Sequence, residues 1–191
     1  LAGSPAEAYM RRRGITRMPP GWSFAPPLKP RKRLMHPHRA ALVAWALDDS
    51  GTVKGGARVL VMPDGSKAPE DARKPTFGSI GGFPARLPAD TPDGPLFVAE
   101  GPETALTVWQ ATGCETWATY GASNFESAPV PTGRTVIFCP DADAPDSPAG
   151  QSFLRACRHH AGRGVQLYVA QPGQEPGSRQ DLNDTLQERG E

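Results

Sequence analysis

The second half of the sequence alternates between short apolar runs and segments of helical character, and this order constrains the fold more than any other feature. The apolar runs cover residues 96–99, 116–120, 134–139 and 165–170, and helical segments at 103–112 and about 149–160 separate them. A final short helix is expected to begin near Asp181. Strands that alternate with helices in this way form a parallel sheet with helices packed on its faces. The pattern therefore predicts an α/β fold.

Carboxylates follow two of these apolar runs directly. Leu96–Ala99 leads into Glu100, and Arg134–Cys139 is soon followed by Asp141 and Asp143. In open α/β sheets, functional groups collect at the carboxyl ends of the strands. An isolated Asp-x-Asp loop is usually a solvated turn, but its occurrence together with Glu100 favours a site for divalent cations. Glu100 could be a ligand or a proton acceptor, and the spacing leaves both roles open.

The first half of the chain predicts a smaller mixed α+β lobe. Ser4-Pro5-Ala6-Glu7 supplies a helix start, and Gly14 ends that helix. Two β-rich runs at 40–47 and 53–62, separated by a turn at 48–51, indicate an antiparallel hairpin. Between helix and hairpin, the proline-rich Pro19–Pro37 is expected to be an extended basic connector. We expect an N-terminal lobe at residues 1–92 and a second domain at residues 93–191.

Composition limits the classes of function. The 21 glycines and 22 prolines among 191 residues predict long, stiff loops, while 38% hydrophobic residues still support a folded core. The formal net charge of +1 provides no global positive field, so nucleic acid would have to bind at a local patch. Three cysteines without paired spacing argue against a disulfide scaffold or structural zinc and fit a reduced, cytoplasmic protein. The longest apolar run is too short for a membrane span, so no membrane partner is expected.

The residues around the carboxylates resemble a known family. Positions 98–106 read Val-Ala-Glu-Gly-Pro-Glu-Thr-Ala-Leu, and positions 136–143 read Val-Ile-Phe-Cys-Pro-Asp-Ala-Asp. Both segments are similar to the Toprim domain that primases, topoisomerases, recombination proteins and some nucleases share. The resemblance extends from about Pro95 to the end of the sequence. It implies that Glu100 is the acid/base or metal-organising glutamate and that Asp141 and Asp143 bind Mg²⁺ or Mn²⁺.

Two further features belong to this resemblance. The segment 179–184, Arg-Gln-Asp-Leu-Asn-Asp, is similar to a motif of phage- and plasmid-type primases and makes Asp181 and Asp184 secondary candidates for metal ligands. As bare sequence, Asp181 is equally suited to cap the last helix. The chain departs from replicative bacterial primases at Thr104, where those proteins commonly have an acidic residue. The family's Ala-Gly pair occurs here at Ala149–Gly150, behind four inserted residues.

The N-terminal half also resembles primase cores. The segment 8–15 is similar to the helix that opens the primase RNA-polymerase core, and 55–60 with 74–75 is similar to its Gly-Gly-Arg-Val-Leu and Pro-Lys elements. The resemblance implies that Arg58 and Lys74 contact nucleotide phosphates or the nucleic-acid backbone. The alternative for Arg58 is a solvent-facing strand residue. Further candidate nucleic-acid contacts are Arg86, which follows an expected flexible turn at 78–82, and the run Arg11, Arg12 and Arg13.

These observations indicate the catalytic core of a primase-like polymerase, carried by a mobile element, that makes short RNA primers on single-stranded DNA. Its expected partners are the DNA template, ribonucleoside triphosphates, and a helicase or zinc-binding module outside this sequence. A Toprim nuclease and a non-catalytic nucleic-acid-binding module remain alternatives. Trp22, Phe24 and Trp45 are expected in the core more than as stacking platforms for bases.

Overall fold

Two β-sheets, one formed mainly from each half of the chain, organise the structure. The computed structural model describes residues 1–27, 40–69, 75–173 and 175–189. The helices are α1 (Pro5–Arg12), α2 (Pro102–Thr112), α3 (Pro148–Gly162) and α4 (Leu182–Arg189). The strands are β1 (Ser23–Ala25), β2 (Ala40–Leu47), β3 (Val53–Val61), β4 (Thr76–Gly78), β5 (Ala85–Leu87), β6 (Leu96–Ala99), β7 (Thr116–Ala118), β8 (Thr135–Cys139) and β9 (Gln166–Val169).

The first sheet is antiparallel and has the strand order β1-β2-β3-β4. Its centre is the expected hairpin, in which Val43 of β2 lies opposite Arg58 of β3. The side chain of Asp48 closes the turn by accepting hydrogen bonds from the backbone N–H groups of Ser50 and Thr52, both at 2.9 Å. β1 lies inside the segment expected to be an extended connector, and β4 ends at Gly78 in the segment expected to be a flexible turn.

The second sheet has the order β5-β7-β6-β8-β9 and confirms the α/β class. β7, β6, β8 and β9 are parallel, with α2 and α3 in the connections between them. β5 is antiparallel to β7 and pairs Ala85 with Ala118. Hydrogen bonding therefore places residues 85–87 in the second sheet, although the sequence predicts them in the N-terminal lobe at residues 1–92.

Local sequence signals account for the ends of the helices. Ser4 caps α1 by accepting a hydrogen bond from the N–H of Glu7, and Ser147 caps α3 in the same way through the N–H of Gly150. α2 ends at Thr112, and the following Gly113 has a φ of 67°, a left-handed conformation that glycine adopts at little cost. Within the described residues, no helix is long and apolar enough to cross a membrane.

One hydrophobic cluster connects the two halves of the chain. Tyr9 and Met10 of α1 and Leu42 of β2 belong to the same cluster as Leu106 and Trp109 of α2. A second cluster lies under α3, where three phenylalanines at positions 125, 138 and 153 have ring centroids 4.9 to 6.1 Å apart. Because the first cluster is shared, burial of apolar surface holds the two sheets together.

Polar contacts reinforce this junction. The side chain of Gln110 accepts hydrogen bonds from the N–H groups of Thr16 and Arg17 and donates one to the carbonyl of Gly14. The guanidinium of Arg17 lies 3.5 Å from the ring centroid of Trp109 and forms an ion pair with Asp90. These contacts fix α2, the helix that begins beside Glu100, against the N-terminal segment.

Candidate active site

Glu100 lies at the carboxyl end of the central pair of strands in the second sheet. In the register between β6 and β8, Ala99 is opposite Cys139, and the N–H of Glu100 donates to the carbonyl of Cys139 at 3.3 Å. Its own carbonyl accepts from the N–H of Gly121 at 3.1 Å. The main chain of Glu100 is thus bonded to the last residue of β8 and to the segment that follows β7.

Asp141 and Asp143 lie on the loop that continues β8. The N–H of Asp143 donates to the carbonyl of Asp141 at 2.8 Å, which makes a tight turn around Ala142. The N–H of Ala142 donates to the carbonyl of Gln180, and its carbonyl accepts from the N–H groups of Gly177 and Arg179. The acidic loop is therefore tied to the segment that leads into α4, far away in the sequence.

The three predicted catalytic carboxylates line a single pocket. The pocket has a volume of about 90 Å³, and its walls are formed by Glu100, Ala122, Pro140, Asp141, Asp143, Pro145, Ala149, Gly150, Phe153, Leu154 and Gln171. Oε2 of Glu100 and Oδ1 of Asp141 are inaccessible to solvent. The sequence thus correctly predicted that these carboxylates share one edge of the sheet. The apolar side chains in the pocket walls reduce the amount of water around them.

The donor atoms of this pocket suit a hard cation. Across the described ranges, no group of three or more His, Cys, Asp or Glu side chains lies close enough to hold a metal ion by itself. Mg²⁺ commonly takes one or two carboxylates and completes its shell with water and substrate phosphates, so a pocket with few converging carboxylates fits it. Burial raises the pKa of the nearby Cys139 to about 12, so that thiol is neutral at pH 7 and adds no thiolate ligand.

Asp181 and Asp184 do not belong to the walls of this pocket. They form a reciprocal cap at the start of α4, since the N–H of Asp184 donates to Oδ1 of Asp181 at 2.8 Å and the N–H of Asp181 donates to Oδ2 of Asp184 at 3.1 Å. Thr104 donates to the second oxygen of Asp181, and Arg13 forms an ion pair with Asp184 at 3.2 Å. The capping alternative for Asp181 is therefore confirmed, and a metal-binding role for either residue stays a prediction.

Arg58 lies on β3 with a half-buried side chain. Its guanidinium carbon is 5.7 Å from the ring centroid of Phe77, and in the described part of the chain its buried Nε has no hydrogen-bond partner. A phosphate-contacting role for Arg58 stays a prediction. Lys74, predicted to act with Arg58, lies outside the described residues, as do Lys29 and Arg31–Arg33.

Of the four other predicted basic contacts, Arg11, Arg13 and Arg86 form ion pairs with carboxylates of the protein. Arg86 forms a 2.6 Å ion pair with Asp49 and lies over Trp117, with its guanidinium carbon 4.7 Å from the ring centroid. Arg11 pairs with Glu7 along α1 at 2.8 Å. Arg13, besides its ion pair with Asp184, accepts a hydrogen bond at its carbonyl from Asn183. Arg12 is exposed. A nucleic-acid role for these four arginines stays a prediction.

Sequence reasoning missed the role of Glu103, which it did not count among the candidate site residues. The residue is only 1% exposed, accepts a 2.9 Å hydrogen bond from the hydroxyl of Tyr9, and lies 3.4 Å from Nζ of Lys67. Burial, followed by the charge of Glu103, raises the pKa of Tyr9 well above its ordinary value. The residues of α2 from Pro102 to Trp109 are all buried, so Glu103 lies among buried positions on a helix that is enclosed on all sides.

The predicted core aromatics are placed largely as expected. Trp22 belongs to the shared core cluster, and Phe24 packs against it. Trp45 is half-buried, donates to the hydroxyl of Ser23, and meets the ring of Phe77 edge-on with centroids 5.7 Å apart. None of these contacts requires a bound nucleobase.

Comparison with known sequences divides the chain into two parts. Residues 95–191 match the model of the Toprim domain, and residues 1–87 match a domain of unknown function, DUF7146. No curated protein matches the sequence. The Toprim match covers all three carboxylates of the pocket.

Comparison with solved structures relates the whole fold to primase cores. The DnaG primase catalytic domain bound to single-stranded DNA superposes with a TM-score of 0.56 at 15% identity, covering 98% of this chain and 70% of that one. The primase fragment of the bacteriophage T7 primase-helicase protein gives 0.52 at 16% identity, covering 96% of this chain. A DNA primase domain from Pseudomonas aeruginosa gives 0.51 at 14% identity, covering 100% of this chain and 68% of that one. This chain spans 65% of the T7 fragment's length.

Proposed function

The chain belongs to the Toprim domain family, and from this premise we propose that it is the catalytic core of a primase-like nucleotidyltransferase. It would synthesise short RNA primers on single-stranded DNA from ribonucleoside triphosphates, with Mg²⁺ or Mn²⁺ as cofactor. The fold shared with solved primase cores supports this proposal. We further propose residues 1–92 as a lobe for nucleotide and nucleic-acid binding and residues 93–191 as the catalytic domain.

The single observation that carries the proposal is the pocket that Glu100, Asp141 and Asp143 line together. In primer synthesis, the 3′-hydroxyl oxygen of the growing strand bonds to the α-phosphorus of the incoming nucleotide, and pyrophosphate leaves. Asp141 and Asp143 would hold the cation, whose chemical contribution is to neutralise charge on the phosphate oxygens. Glu100 would accept the proton that the attacking hydroxyl loses, or orient the group that does so.

Arg58 would supply the phosphate contact of the N-terminal lobe. A guanidinium can grip a phosphate through two parallel N–H donors. The chain has a formal charge near zero, so such local contacts carry most of the attraction for a polyanion. A helicase or a zinc-binding module on another part of the protein, or on another protein, would recruit the template.

The direct test is synthesis of labelled RNA on single-stranded DNA templates by the unaltered chain and by Asp141→Asn. We expect primers from the unaltered chain and a loss of at least ~100-fold in the variant, since electrostatic groups at phosphoryl-transfer sites commonly contribute that much. Asp146→Asn is the matched control, because Asp146 is exposed on the same loop and is not among the residues that line the pocket. Full activity in Asp141→Asn would refute the site assignment.

The same preparations distinguish the alternatives. A Toprim nuclease would use the same carboxylates with water as the nucleophile, so it would shorten a labelled DNA strand and form no RNA. A binding module would retain the DNA with neither reaction.

Calorimetry with Mn²⁺ tests binding of the cation separately from turnover. We expect the unaltered chain and Asp146→Asn to bind Mn²⁺, and we expect the double variant Asp141→Asn/Asp143→Asn to lose this binding.

A further inference from the structure

Two residues other than glycine have a left-handed backbone among the residues that the structure describes. They are Tyr120, with a φ of 67°, and Arg179, with a φ of 60°. A side chain with a Cβ is disfavoured in this region, and a bulky one is a genuine outlier. Such strained residues persist only where their surroundings hold them, and they cluster at functional sites.

Tyr120 lies between two main-chain hydrogen bonds to the segment that carries Glu100. The preceding residue, Thr119, donates its N–H to the carbonyl of Ala99 at 3.0 Å. The following residue, Gly121, donates its N–H to the carbonyl of Glu100 at 3.1 Å. The left-handed turn at Tyr120 therefore determines how these two donors meet consecutive carbonyls.

Arg179 occupies the equivalent place beside the second acidic segment. Its N–H donates to the carbonyl of Ala142 at 3.1 Å, and the carbonyl of the next residue, Gln180, accepts from the N–H of Ala142 at 2.8 Å. Ala142 lies between Asp141 and Asp143. The left-handed turn at Arg179 thus holds the middle residue of the Asp-x-Asp loop on both its polar groups.

The surroundings that hold Tyr120 come from the other half of the chain. Its ring packs against the shared hydrophobic cluster, and its hydroxyl donates to the carbonyl of Ala44 in β2 at 3.3 Å. The side chain of Arg179, in contrast, is exposed. Packing therefore stabilises the first turn, while backbone hydrogen bonds to the acidic loop stabilise the second.

We propose that Tyr120 and Arg179 are positioning residues, whose left-handed turns set the placement of Glu100 relative to the Asp141–Asp143 loop. This inference rests on the proposed function, because it concerns the cation site of that function. The backbone conformation is the active feature at both positions. The guanidinium of Arg179 and the hydroxyl of Tyr120 are secondary.

Substitutions at position 179 test this directly, with Mn²⁺ affinity measured by electron paramagnetic resonance. Glycine adopts the left-handed conformation freely and asparagine does so readily, so Arg179→Gly and Arg179→Asn are expected to bind Mn²⁺ within about twofold of the unaltered chain. Arg179→Val, with a β-branched side chain, is expected to bind about tenfold more weakly, the loss typical when groups that orient metal ligands are changed. Arg179→Ala should fall between these limits and remain folded.

Matched variants control for other effects. Glu175→Val introduces the same side chain into the same exposed segment, where φ is not positive, and should leave Mn²⁺ affinity unchanged. Tyr120→Phe, which removes only the hydroxyl, should also bind within about twofold, whereas Tyr120→Val should lose affinity as Arg179→Val does. Far-UV circular dichroism establishes that each variant is folded.

The outcomes distinguish a failure of the proposed function from a failure of the positioning role. If the unaltered chain does not bind Mn²⁺, the proposed function and this inference both fail. If it binds, and Arg179→Gly loses as much affinity as Arg179→Val, the guanidinium is responsible and the positioning role is refuted. Equal affinity in Arg179→Ala, Arg179→Val and the unaltered chain would refute it as well.

Discussion

Replacement of Gly150 by alanine is expected to destabilise the protein, although alanine is normally the better residue in a helix. Gly150 lies in the first turn of α3, against the loop that continues from Asp143. A Cβ at this position would overlap the carbonyl oxygen of Ala144 and lie 3.0 Å from Cα of Pro145. Carbon atoms pack best at about 3.5–4.0 Å, so the loop would have to retreat by roughly 1 Å.

The size of the effect follows from two opposing contributions. Helix propensity favours alanine over glycine by up to ~1 kcal/mol. Overpacking costs typically ~1–3 kcal/mol, and the cost should be near the upper end because the overlapping atoms belong to the main chain. We therefore expect a net loss of about 2 kcal/mol in the free energy of unfolding. For a chain of this length, that loss lowers Tm by roughly 4–8 °C.

Gly162→Ala is the matched control, because Gly162 is the last residue of the same helix and a Cβ there meets no atom within 4 Å. Its Tm should be equal to or above that of the unaltered chain. Thermal unfolding by circular dichroism measures both variants. Because Asp143 is in the displaced loop, Gly150→Ala should also weaken Mn²⁺ binding. A Tm for Gly150→Ala equal to that of Gly162→Ala would refute the close-packing argument.

Three further predictions concern other parts of the chain. Asp184→Ala removes a cap of α4 and the ion pair with Arg13, and should lower the urea-unfolding free energy by about 1 kcal/mol, with no change in Gln187→Ala. Burial lowers the pKa of His160 below its ordinary value. The stability that its neutral form provides is therefore complete above pH 6.5 and is lost as pH falls through that value towards the folded-state pKa. Urea titrations should show this loss in His159→Gln but not in His160→Asn. Arg58→Ala should weaken binding of single-stranded DNA and reduce the slope of log K against log salt by about 0.7, the value for one phosphate contact, while Arg155→Ala on the surface of α3 should leave the slope unchanged.

The sequence predicted the parts of the fold that depend on local signals. The hairpin, the strand–helix alternation and the cap at Ser4 all follow from periodicity and turn residues, which are properties of neighbouring positions. The strands β1, β4 and β5 were not predicted, because each has only three residues and lies in a proline- or glycine-rich region. Their strand character comes from pairing with a distant partner, which a local pattern does not contain.

In the candidate site, too, local sequence signals predicted some features and not others. The rule that carboxyl ends of parallel strands meet correctly grouped Glu100 with Asp141 and Asp143 around one pocket. The burial of Glu103 under Tyr9 and the attachment of Ala142 to the segment before α4 depend on contacts across many residues of sequence. The pairs of residues that form these contacts are set by packing of the complete chain, so no window of neighbouring residues identifies the partners.

The position of β5 affects how this protein can exchange parts with others during evolution. Residues 85–87 lie within the N-terminal sequence match, yet they form the edge strand of the sheet that the Toprim domain builds. A Toprim segment transferred alone from residue 95 would arrive without that strand, and the edge of β7 would expose unpaired N–H and C=O groups. It would also leave behind Tyr9, which donates a hydrogen bond to the buried Glu103. Successful recombination would therefore have to carry both segments together, or find a recipient that already supplies an equivalent strand and hydroxyl.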